Sequence, residues 1–234
     1  MLHSMINHQV LGKLIKLLDT SQFHNVVLRL LQFLIKLTHA KFLQKDSPNI
    51  AIFKQLEYLV KFLRKPLKAA TIPHHLKTIL LILSDELTVT KVKLGLLLKE
   101  LSFIGFLVCE LISFMKQSGL VSRKKFNRVD TIGFKCWSMS LMVSILLQLR
   151  NMRVASLRKA NIEQNFPKEG KRELIEREKL KMEASRSLFV RCFMNLGIAL
   201  NGSKVVKLDD GVIAGLGIVT SFVNLKETWK KAGV

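Results

Sequence analysis

Apolar residues recur at intervals of three and four along much of this 234-residue chain, and that period constrains the fold more than any other feature. The clearest run is Phe23, Val26, Val27, Leu30, Leu31, Leu34 and Leu37, which lie on one side of a helix of 3.6 residues per turn. Leu28, Phe33 and Ile35 widen this apolar side beyond what a solvated surface helix needs. Only four prolines and twelve glycines interrupt the chain, so long helices are allowed, and hairpin turn signals are scarce. The reading is all-α.

A pass along the chain divides it into four regions. Residues 1–90 form a basic region of amphipathic helices. A first helix carries Val10, Leu11, Leu14, Ile15, Leu17 and Leu18, followed by a break at Asp19-Thr20-Ser21. After the second helix, Asp46-Ser47-Pro48-Asn49 reads as a turn, and a helix over about 50–65 should end at Pro66. Another is expected from Leu76 to Leu87. Residues 91–149 hold two apolar stretches, Leu94–Met115 and Ile132–Leu149, joined by a basic loop with Arg123, Lys124, Lys125 and Arg128. Residues 150–186 carry 11 Lys/Arg and 6 Asp/Glu and read as a solvated helical segment of mixed charge. Residues 187–234 read as a hydrophobic helical hairpin, Leu188–Leu200 and Gly211–Leu225, with a short basic tail.

Charge then narrows the class. The chain is 49% hydrophobic with mean hydropathy +0.25, yet its net charge is +21. A nucleic-acid binder would explain the charge but not the apolar tail, and the basic residues lack interleaved aromatics for base stacking. An anionic membrane surface accounts for both properties. The stripe Phe23, Val26, Val27, Leu30, Leu31 and Leu34 is the candidate insertion face; the alternative for such a face is packing in a helical core. Arg29, Lys36, Lys54, Lys61, Arg64 and Lys65 are the candidate contacts to anionic lipid on the cytosolic leaflet.

Topology follows from where charge is absent. A spanning helix needs roughly 20 apolar residues. Leu94–Met115 contains Lys99, Glu100 and Glu110, and Ile132–Leu149 is barely long enough. Their basic flanks fit the positive-inside rule poorly, so both are expected to be buried bundle helices or interfacial helices rather than spans. The tail differs. Lys204, Lys207, Asp209 and Asp210 leave the loop 201–210 neutral, so a hairpin could place that loop on the far side and the basic segments on the cytosolic side. Gly211, Gly215 and Gly217 are the candidate close-packing residues of that hairpin.

No catalytic constellation emerges. Metalloprotease, Walker, dinucleotide and nucleophile-elbow motifs are lacking, so no cofactor, no metal and no enzymatic activity are expected. His74 and His75 read as ordinary surface histidines. Cys109, Cys136 and Cys192 are too dispersed for a metal site and odd in number for a disulfide framework, and are expected as buried thiols.

Several segments resemble one family. Leu28-Arg29-Leu30-Leu31-Gln32-Phe33-Leu34 is similar to the second-helix signature of the peroxin-11 family of peroxisomal membrane proteins, and Phe62-Leu63-Arg64-Lys65-Pro66-Leu67 to the segment that follows it. Trp137, opening an apolar helix that leads to Leu149-Arg150, fits the family's middle region. Asp210-Gly211-Val212, Gly217-Ile218-Val219-Thr220-Ser221 and Trp229 resemble its final hydrophobic segment, most like the fungal branch. Glu110 stands where the family usually has Asp. The resemblance implies a helical peroxisomal membrane protein that elongates the organelle before division, with both termini in the cytosol. It also implies self-association and contact with a dynamin-type GTPase of the fission machinery. A metabolite channel is the alternative activity, for which Lys99, Glu100, Lys135 and Arg191 would be the pore-lining candidates.

Overall fold

The computed structural model describes residues 20–42, 49–86, 88–165 and 168–232. Seven α-helices account for nearly all of them: α1 Ser21–Leu37, α2 Asn49–Ala69, α3 Ile72–Ser84, α4 Thr90–Gln117, α5 Val129–Asn165, α6 Lys168–Gly202 and α7 Asp210–Ala232. A π-helical turn, Thr38–Phe42, extends α1, and no strand occurs among the described residues. The helix expected over Val10–Leu18 and the turn residues Asp46, Ser47 and Pro48 lie outside the described residues.

Local chemistry explains several ends. Thr20 caps α1, its hydroxyl accepting from the Phe23 amide at 3.4 Å, so the expected break at Asp19-Thr20-Ser21 becomes a helix start. α4 stops at Gly119, whose φ of +83° suits a residue without Cβ. The Leu120 amide then returns to the Met115 carbonyl at 2.9 Å. Pro66 does not end α2, which continues to Ala69. A proline near the last turn forfeits one amide donor but leaves its carbonyl free, and the Ala70 amide donates to it at 3.0 Å.

The helices pack as successive antiparallel neighbours. α5 runs back along α4, and α6 along α5, where the Phe134 ring occupies the space that a side chain on Gly202 would need. α7 folds back on α6, completing the expected hairpin, with Gly197 against Leu216 and Arg191 donating to Asn224 at 3.0 Å. α1 lies antiparallel on α7, through Arg29–Thr220 near one end and Lys36–Asp210 near the other. α2 bridges α1 to α4, and α3 rests on α4. Phe33, Ile198 and Ile213 form a small apolar core, with Trp137, Leu208, Leu216 and Ile218 packed around it.

Two of the sequence boundaries fall inside helices. α5 crosses 149/150 and α6 crosses 186/187 without a break, so those positions mark changes of composition along continuous helices. The expectation for Ile132–Leu149 is a buried bundle helix or an interfacial one, and the low burial of its apolar window disfavours the first of these. Its helix is, among the described residues, the one long and apolar enough to cross a membrane by length and composition, and only 28% of its apolar window is buried.

An apolar outer face and a basic seam behind it

On α1, Val27, Leu31 and Leu34 follow at intervals of four and three and are 41%, 44% and 43% exposed. Phe23, Val26 and Leu30, also in the expected insertion face, are half-buried along its edge. The opposite side of α1 carries Arg29, Gln32, Phe33 and Lys36 and turns toward the other helices. α2 repeats the arrangement. Ile52, Leu56, Leu59 and Leu63 form an exposed apolar stripe, while Arg64 and Lys65 are buried on the other side.

Features of this inversion recur in the other helices. The largest fully buried side chains are Lys65, Leu107, Thr220, Ser113 and Ser221, of which four are polar. Exposed positions include Leu80, Leu81, Leu94, Leu101, Leu146, Phe193, Val212 and Phe222. A water-soluble bundle buries its leucines and exposes its lysines. A bundle facing lipid needs no apolar interior to drive association and gathers small and polar side chains between its helices. Exposed apolar stripes of this kind have the character of a membrane contact.

Behind the apolar stripes runs a basic seam. Arg29 donates to Asn195 Oδ1 at 2.5 Å and Thr220 Oγ1 at 3.0 Å, fastening α1 across the α6–α7 hairpin. Arg64 donates to Asn25 Oδ1 at 3.2 Å and to Gln32 Oε1, fastening α2 to α1. Lys65, 1% exposed, donates to Ser113 Oγ at 2.5 Å and lies 3.7 Å from Asp130, which Lys116 also engages at 2.5 Å. Lys68 pairs with Glu110 at 3.1 Å. Burial pushes the Arg64 guanidinium below its ordinary range, and Arg29 nearby adds repulsion.

The candidate lipid contacts therefore separate. Lys54 and Lys61 are exposed, and Lys36 is half-buried in a 2.8 Å pair with Asp210. Arg29, Arg64 and Lys65 are interior fasteners in this conformation. The glycines also separate. Gly217 faces Phe33 of α1, with the ring 2.3 Å from where a Cβ would sit; Gly211 meets Lys41 and Asp209; Gly215 faces open space. The Gly211/Gly215 pair thus contributes no close approach between α6 and α7, because α7 turns its glycine side away from α6.

Sequence reasoning missed two polar sites. His75 is no free surface histidine: its Nδ1 lies 2.7 Å from buried Glu100 and its ring packs on Phe103. His39 meets Glu57 at 2.8 Å. In neither pair does local spacing give a signal, since the partners lie on different helices. The three cysteines are half-buried free thiols. Of the channel candidates, Lys99 pairs with Glu100 at 2.7 Å, Arg191 is held by Asn224 and Glu227, and Lys135 is exposed.

A helical fold with exposed apolar stripes on its outer helix faces and with buried cations and hydroxyls between its helices is that of a membrane-associated helical bundle. Residues 11–229 match the family model of Peroxisomal biogenesis factor 11 (PEX11), and the chain belongs to that family. It is 29% identical to Peroxisomal membrane protein PMP30A of Candida boidinii over 96% of each chain, and 28% identical to PMP30B of the same yeast over the same shares. It is 23% identical to Peroxisomal biogenesis factor 11 of Schizosaccharomyces pombe over 92% of this chain and 93% of that one. No solved structure matches the chain.

Proposed function

We propose that this protein resides in the peroxisomal membrane and promotes proliferation of the organelle by elongating that membrane, with the outward apolar stripes of α1 and α2 seated in one leaflet. The observation that carries this reading is the inversion of both helices, leucines outward and arginines inward. A helix buried shallowly in one leaflet expands it relative to the other and favours curvature. Membership of the PEX11 family and the names of the yeast relatives support the organelle.

Orientation and partners belong to the same proposal. The antiparallel α1–α7 pair brings the described ends of the chain to one end of the bundle, and the charged halves of α5 and α6 extend from that end. That end faces the cytosol, where self-association and a dynamin-type GTPase would be accommodated. The test is reconstitution of the full chain into anionic liposomes. The wild type should draw them into tubules, and Val27→Glu/Leu31→Glu/Leu34→Glu should lose that activity while remaining helical. Undiminished tubulation by the triple variant would remove α1 from the mechanism.

A further inference from the structure

A cavity of about 280 Å³ opens between α1, α2, α4, α5, α6 and α7. Five cationic side chains line it against two carboxylates. Both carboxylates are already engaged, Glu110 by Lys68 at 3.1 Å and Glu57 by His39 at 2.8 Å. The two guanidiniums have only neutral acceptors among the described residues: Asn25 and Gln32 for Arg64, Asn195 and Thr220 for Arg29. Arg64 is 7% exposed and makes no ion pair within 4 Å among the described residues, with Glu110 acting on it only at longer range. A buried cation in that condition is costly unless an anion joins it. Arginine presents a planar fork of donors that suits tetrahedral oxyanions, and exposed Lys61, one turn before Arg64 on α2, adds a third cation at the rim. The lining also includes the apolar surfaces of Phe33, Trp137 and Ile198, with Arg29 lying over the Phe33 ring at 5.7 Å, and these can take a less polar body attached to the anion.

We infer that this cavity is a binding site for a phosphate-bearing ligand, whose phosphate bridges Arg29 and Arg64 and thereby ties α1 and α2 to the α6–α7 hairpin. The phosphate can come from a lipid headgroup or from a small soluble molecule; the recognition chemistry is the same. The inference does not depend on leaflet insertion of α1.

The full chain in detergent would be titrated by calorimetry and thermal melting with two probes, inorganic pyrophosphate and short-chain phosphatidate. Saturable binding with a rise in Tm is expected for at least one, and the tighter of the two identifies the source. Arg29→Gln/Arg64→Gln should weaken binding about tenfold or more. Lys61→Gln, on the exposed rim, should weaken it several-fold, and Lys77→Gln, exposed on α3 and outside the cavity lining, should leave it unchanged. If the double variant does not fold, the comparison of Lys61→Gln with Lys77→Gln decides. Failure of both probes to bind would overturn the site. So would equal weakening by Lys77→Gln and Lys61→Gln, which is the signature of diffuse surface charge.

Discussion

Lys68 shows what the interior asks of one residue. Burial holds its ammonium down to about 8 from an ordinary 10.5; Glu110 opposes that shift, while Arg64 and Arg29 reinforce it. Between those two values the unfolded chain binds more protons than the folded one, so stability should rise as pH increases from about 8 toward 10.5. Below 8 the full penalty of a charged Lys68 is already present. Thermal melting across that window should show Tm climbing, and Lys68→Met should reduce the climb, the remainder coming from Arg64 and Lys65, which burial also holds down. An equal climb in the variant would place the titrating group elsewhere. Residues of this kind are illegible in sequence. Lys61 and Lys68 are seven apart and share a helix face, yet one is exposed and the other sits beside Glu110 of α4. Helical spacing defines which side a residue is on, and only the partner helix decides whether that side is wet.

At the level of elements, the period of α1 and α2 was readable and their polarity was not. In water a stripe such as Val27, Leu31 and Leu34 would turn inward, and the cations opposite would be solvated. Here Arg29 finds Asn195 and Thr220, partners more than 160 residues away, and the helix is held the other way round. The C-terminal hairpin is legible because its neutral loop and its two apolar runs, interrupted by one charge at Arg191, are local. Which helix its glycines serve was not, because α1 fills the place. This yields a paired prediction. Gly217→Ala puts a methyl into the Phe33 ring and should destabilise the protein by about 1–3 kcal/mol, with α1 loosened. Gly215→Ala meets nothing and should stabilise by about 1 kcal/mol through helix propensity alone. Equal effects of the two, read from denaturation midpoints in one detergent, would disprove the docking of α1 on α7.

For the whole molecule, length separates what lies in lipid from what does not. The 37 residues of α5 extend about 55 Å, well beyond a hydrocarbon core of about 30 Å. Its apolar first half fits that core, and its charged second half, paired with the start of α6, projects past it. Composition changes at 149/150 and 186/187 within continuous helices, and in the proposed arrangement these positions mark the level at which the bundle leaves the apolar layer. The central claim is that α1 and α2 turn their leucines to lipid and their arginines to the protein. It is tested most directly by nitroxide labels placed singly at Leu31, Leu34, Leu59 and Lys54 in a cysteine-free full chain in liposomes. Collisions with oxygen and with a water-soluble nickel complex would be compared at each site. Leu31, Leu34 and Leu59 should favour oxygen and exclude nickel, while Lys54 should admit nickel. Nickel access at all four positions alike would contradict the account.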